Sequence, residues 1–224
     1  PGLPVDAKGR TFLEGIRLGV GDALAADPRV FVYGQDVAGP YGNAFLLLEP
    51  LVAEFGDRLV NSTLAEGAVL GVCVGAALAG LRPIGEMQFN DFVATGFNQL
   101  VNNAAKIRYR WGADVPMVVR MPWGGLRSGG PFHSQNTEAW FYRTPGLKIV
   151  VPSTPEDARG LLAAAVADPA GQRLRAGHRT CGDQQRQQGA HRLPPVVERR
   201  EERGMEGERQ VQHRVGSDYL DDLV

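Results

Sequence analysis

Glu66 follows Leu64-Ala65 and opens the most apolar helical stretch of the chain, residues 65–80, just after a short apolar run that reads as a strand. A carboxylate in a first helical turn is favoured by the positive end of the helix dipole, which is a sufficient structural reason for its presence. Behind it Gly67, Gly71, Gly75 and Ala79 recur every four residues. That stripe of small side chains lets another helix approach closely; packing alone accounts for it, and its partner should be protein because the stretch is too short and glycine-rich to cross a membrane.

Two further segments carry groups suited to a site. The run Glu86-Met87-Gln88-Phe89-Asn90-Asp91-Phe92 mixes carboxylates, amides and two aromatic rings, the combination that stacks on and hydrogen-bonds a flat heterocycle, although core packing would account for one of the rings. Residues 121–135 are glycine-rich and contain His133, the only histidine before residue 170. This stretch matches neither the Walker phosphate loop nor the dinucleotide-binding GxGxxG pattern, and a loop histidine by itself is more often incidental than catalytic.

These residues need a scaffold, and the apolar pattern supplies one. Val30-Phe31-Val32-Tyr33-Gly34 is a short apolar run closed by glycine, and similar runs at Leu59-Val60, Pro83-Ile84, Val115 to Met121 and Leu147 to Val151 are expected as strands. Thr11 and Glu14 have capping-box spacing ahead of a first helix that reaches Pro28. Further helical patterns cover about 45–55, 65–80, 91–109, 135–142 and 155–168. Strands and helices therefore alternate, which predicts an α/β fold: three layers, doubly wound, with a mainly parallel sheet. Such sheets bind ligands at the carboxyl ends of their strands, so the segments after Gly34, Asn61, Met87 and Met121 are where a site is expected.

Composition narrows the partners. A net charge of −1 and a pI near 6.5 give no general attraction to nucleic acid or anionic lipid. No 18-residue apolar stretch and no basic-then-apolar leader occurs, so a cytoplasmic protein without nucleic-acid or membrane partners is expected. Cys73 and Cys181 are far apart and form no CxxC, so neither a metal site nor a disulfide is expected.

From Gly171 the character changes. Residues 171–224 contain ten Arg, no Lys, no Phe, Ile or Trp, and runs such as Glu198-Arg199-Arg200-Glu201-Glu202-Arg203. The expected organisation is a domain over 1–170 and an Arg/Gln/Glu-rich tail over 171–224 that buries too little apolar surface to order itself. Out-of-frame reading of GC-rich DNA near residue 170 and a native solvated tail both fit this composition.

Taken together, the segments resemble, in family order, the β subunit of the thiamine-diphosphate-dependent E1 component of 2-oxo acid dehydrogenase complexes, specifically its transketolase-like pyrimidine-binding domain. The resemblance covers about residues 8–168 and rests on Asp27 to Val37, Leu64-Ala65-Glu66, Ala79 to Phe89, Phe132-His133-Ser134-Gln135 and Pro145-Gly146-Leu147-Lys148. It implies that Glu66 hydrogen-bonds N1′ of the coenzyme's aminopyrimidine, which requires a carboxyl group able to hold a proton in a poorly hydrated interface. It further implies that Leu64, Gln88 and Phe92 line the pyrimidine pocket, where relatives often have Tyr in place of Phe92, and that His133 faces the substrate. The implied reaction is oxidative decarboxylation of a 2-oxo acid with acyl transfer to the lipoyl group of E2. Phe132 and Trp123 lean towards branched-chain substrates, while pyruvate- and acetoin-type subunits share the same motifs. The Gly-Asp-Gly … Asn-Asn motif for diphosphate and Mg²⁺ is missing here, since Gly21-Asp22-Ala23 lies within the first helix. The resemblance assigns diphosphate and Mg²⁺ to a separate α subunit, hence an α2β2 assembly sharing the coenzyme. The alternative expectation is a non-catalytic pyrimidine domain that only binds an α subunit.

Overall fold

The computed structural model describes residues 11–124 and 129–169, together with the backbone of residues 172–176. Six parallel strands, β1 (Val30–Gly34), β2 (Leu59–Asn61), β3 (Arg82–Glu86), β4 (Met117–Met121), β5 (Lys148–Val150) and β6 (Gln172–Ala176), form one sheet in the order β2-β1-β3-β4-β6-β5. The helices are α1 (Phe12–Ala26), α2 (Val52–Phe55), α3 (Glu66–Leu78), α4 (Val93–Asn98), α5 (Ala105–Trp111), α6 (Glu138–Phe141) and α7 (Pro155–Ala167). This is the three-layer α/β architecture expected, with all five anticipated strands in place.

Residue alternation along the strands feeds two cores, one on each face of the sheet. Met117, Val119 and Met121 of β4 point into one, with Val69, Leu70 and Cys73 of α3 and Leu100, Ala104 and Ile107 beyond it. Val118 points into the other, with Val30 and Val32 of β1, Ile16, Val20 and Leu24 of α1, and Ala158 and Leu162 of α7. The capping box at Thr11 is present: its hydroxyl accepts from the Glu14 backbone N–H while the Glu14 carboxylate accepts from the Thr11 N–H. Cys73 is a free thiol whose burial pushes its pKa up to about 12. It is a packing residue; Cys181 lies outside the described residues.

Three features depart from the pattern. Residues 45–55 break into single turns, with left-handed backbone at Asn43, Phe45 and Leu46 (φ 73°, 66° and 55°). The helical stretch 91–109 contains a π-helical segment over Gln99–Ala104. Residues 172–176, placed with the tail by composition, form β6 between β4 and β5. A strand flanked on both sides has its backbone groups satisfied whatever its side chains, which an apolar count does not register. The ordered sheet thus continues past residue 170; residues 177–224 lie outside the described residues.

Candidate functional site

The strand order turns back at β1, with β2 on one side and β3 on the other, so the crevice beyond Gly34 and Glu86 is the switch point at which doubly wound sheets place ligands. Gly34 is required there: a Cβ would meet the Glu86 carbonyl oxygen at 2.4 Å. In the same register row, Glu86 faces Arg120 of β4 on its other side. Arg120 Nε donates to Glu86 Oε2 at 2.7 Å, and Arg120 Nη2 and Asn43 Nδ2 both donate to Oε1. Burial drives the Glu86 pKa above the usual carboxylate range, and Arg120 and Asn43 pull it part of the way back. The sequence places Glu86 with the pocket-forming run, whereas the fold commits it to this buried pair.

Gln88 follows two residues later, and its Nε2 donates to the Gln35 backbone carbonyl at 2.6 Å, tying the end of β3 to the end of β1. Gln35 and Asn43 are themselves buried, and Gln35 Nε2 and Asn43 Oδ1 have no hydrogen-bond partner among the described residues. Buried polar atoms left in this way call for a water or a ligand.

Glu66 is half-buried at the start of α3. Its Oε2 accepts from Thr95 Oγ1 at 3.2 Å, and the same hydroxyl lies 3.1 Å from the Phe92 carbonyl oxygen. Thr95 thereby links the carboxylate to the aromatic segment. The approach of α4 to α3 depends on glycine: a Cβ on Gly96 would meet Leu70 Cδ1 at 2.4 Å and the Glu66 carbonyl oxygen at 3.2 Å. Among the described residues Glu66 Oε1 accepts no hydrogen bond, so that oxygen is available to a ligand.

His133 is brought to the aromatic segment. Its ring packs edge-on against Phe89 at 4.8 Å and Phe92 at 5.5 Å, and Phe89 meets Phe45 at 6.2 Å. Phe92 and His133 are therefore in contact, and Glu66 is joined to Phe92 through Thr95. Leu64 is 85% exposed and offers its side chain to solvent. Thr95 and Phe45 were not anticipated as site residues. Thr95-Gly96 is the one local signal, since a polar residue beside a glycine in an apolar helix marks a close crossing.

A carboxylate with one free oxygen beside a set of aromatic edges can hydrogen-bond and pack against a flat heterocycle. No group of three or more His, Cys, Asp or Glu suited to a metal exists among the described residues. Among the described residues, no helix is long and apolar enough to cross a membrane.

A strand order that turns back over a carboxylate-bearing helix defines an α/β ligand-binding domain, and comparison with known proteins gives its class. The family model "Transketolase, pyrimidine binding domain" matches residues 9–174, and the chain belongs to that family. Within it the chain is similar to 2-oxoisovalerate dehydrogenase subunit beta of Bacillus subtilis (strain 168), at 49% identity over 70% of this chain and 49% of the relative. It is 44% identical to 3-methyl-2-oxobutanoate dehydrogenase subunit beta of Mycobacterium tuberculosis (strain CDC 1551 / Oshkosh), over 71% and 46%. It is 41% identical to pyruvate dehydrogenase E1 component subunit beta of Leifsonia xyli subsp. xyli (strain CTCB07), over 70% and 47%. The chain thus spans about half the length of the curated relatives it matches. A solved structure described as "Split gene transketolase, inactive beta4 tetramer" shares the fold, with a TM-score of 0.60 at 18% identity over 75% of this chain and 50% of that one.

Proposed function

We propose that this chain is the pyrimidine-binding part of the E1 β subunit of a cytoplasmic 2-oxo acid dehydrogenase, acting on a branched-chain 2-oxo acid or pyruvate with an E1 α subunit in an α2β2 assembly. The observation that carries this reading is Glu66 itself: a half-buried carboxylate at the head of α3, one oxygen held by Thr95 and the other free, in a chain 41–49% identical to such β subunits. Thiamine diphosphate, when bound, supplies the electron sink that lets a 2-oxo acid lose CO2. Glu66 holds a proton at N1′ of the aminopyrimidine and so sets the protonation state of that ring. Leu64, Gln88 and Phe92 line the ring's pocket. Leu64 is exposed in the isolated chain, and its role requires the α subunit to close over it. His133 faces the substrate and orients it. The α subunit holds the diphosphate and Mg²⁺, and the acyl product passes to the lipoyl domain of an E2 partner.

The test is reconstitution with the α subunit of a similar branched-chain enzyme, with decarboxylation followed by reduction of an artificial electron acceptor. Turnover is expected, and Glu66→Ala should lose about 10²–10⁴-fold of it while still binding the α subunit. A fully active Glu66→Ala mixture would remove the assignment of Glu66. Binding of the α subunit without any turnover would favour the non-catalytic reading.

A further inference from the structure

We propose that Asn90 and Asp91 are positioning residues for His133: their buried side chains hold the segment that carries the imidazole, while Phe89 and Phe92, on either side of them, hold the ring. The role assigned to His133 rests on the function proposed above; the positioning itself rests on geometry alone.

The turn Asn90–Phe92 follows β3 and reaches across to the segment that leaves β4. Asn90 N–H donates to the Pro122 carbonyl at 2.8 Å, fixing that segment where it exits the sheet. At its far end the Gln135 N–H donates to Asp91 Oδ1 at 3.1 Å, and Thr137 Oγ1 donates to Asn90 Oδ1 at 2.5 Å. His133 is therefore carried between fastenings that all lead back to two adjacent residues. Asn90 and Thr137 are 0% exposed and Asp91 7%, so water does not compete for these bonds.

Two details distinguish this from ordinary packing. Thr137 occupies the N-cap of α6, where a threonine normally accepts from its own helix, yet it makes no cap bond and gives its hydroxyl to Asn90 instead. Asp91 keeps its second oxygen, Oδ2, buried without a hydrogen-bond partner among the described residues. Burying a carboxylate for a single backbone contact is costly, and an apolar side chain would fill the space more cheaply. What the carboxylate adds is a strong acceptor at a fixed point, two residues from the imidazole. The two ring contacts, at interplanar angles of 85° and 80°, then set the plane of that imidazole.

The experiment is NMR of the full chain with labelled histidine, the His133 ring protons being assigned by their loss in His133→Gln. Asp91→Ala and Thr137→Val are each expected to move these resonances towards the values of a free histidine peptide and to weaken their cross-relaxation with Phe89 and Phe92. Core methyl resonances should stay in place. Asp91→Asn, which keeps an acceptor at Oδ1, should restore the wild-type positions. Unmoved His133 resonances in both Asp91→Ala and Thr137→Val would overturn the proposal. In the reconstituted enzyme, Asp91→Ala added to His133→Gln should change turnover by no more than about twofold, because a residue acting through His133 has nothing left to act on. Multiplied losses would overturn it as well. An inactive wild-type mixture would defeat the proposed function only, and the NMR result would still decide the positioning.

Discussion

Arg120 offsets part of the cost of burying Glu86, and its removal leaves a carboxylate in the sheet with Asn43 as its one remaining side-chain donor among the described residues. Breaking such a pair costs about 3–5 kcal/mol, so Arg120→Met should be among the most damaging substitutions away from the site crevice. The pH dependence follows from the direction of the shift. Burial already raises the Glu86 pKa above its ordinary 4.5, and losing Arg120 raises it further. A carboxyl whose folded pKa exceeds its unfolded value contributes most below the unfolded value, and that contribution is lost as pH rises through the folded pKa. Urea unfolding should therefore find the Arg120→Met deficit small near pH 4 and large at neutral pH; a deficit independent of pH would contradict it. At this scale the sequence was a partial guide. A helix start and an aromatic run leave local marks in the sequence at Glu66 and Phe92, the positions that the proposed function uses. The Glu86–Arg120 pair and the Thr95 bridge leave none, because strand register and a helix crossing bring those residues together over separations of 34 and 29 positions.

Glycines make the helix positions testable as elements. Gly15 of α1 lies against α7, where a Cβ would meet the Pro155 carbonyl oxygen at 2.3 Å. Gly75 of α3 has nothing within 4 Å of a Cβ. Alanine is better than glycine in a helix by roughly 0.5–1 kcal/mol, so Gly75→Ala should raise the stability of the chain alone by about that much. Gly15→Ala should lower it, because the backbone contact cannot yield without parting α1 from α7. If the small-residue stripe receives the α subunit, Gly75→Ala should also weaken assembly while stabilising the isolated chain. A variant that is both more stable and equally well assembled would take Gly75 out of the interface. The first five strands were readable because each holds a short apolar run beside turn residues, whereas β6 holds none. The 45–55 stretch was misjudged because its apolar residues serve separate turns: Leu47 and Leu48 are buried while Leu46 is exposed, a division imposed by left-handed backbone rather than by helical period.

For the molecule as a whole, β6 decides how much chain the fold requires. It runs between β4 and β5, pairing with Met117–Met121 on one side and Lys148–Val150 on the other. Deleting residues 171–224 would remove an interior strand, leaving β5 without a neighbour in the sheet and baring the edge of β4 at the heart of one core. Deleting residues 177–224 leaves all six strands and the whole stretch matched by the family model. The shorter deletion should therefore melt cooperatively within a few degrees of the full chain, since about 1 kcal/mol corresponds to only a few degrees in a domain of this size. The longer one should lose the cooperative transition or shift it far downward, read by circular dichroism and calorimetry. Equal melting of the two products would mean that β6 contributes nothing and that the domain closes at β5. Composition places the break at residue 171 because Arg and Gln dominate from there, but a strand held by neighbours on both sides takes its stability from its backbone and position. The sheet thus extends a few residues beyond the change in composition.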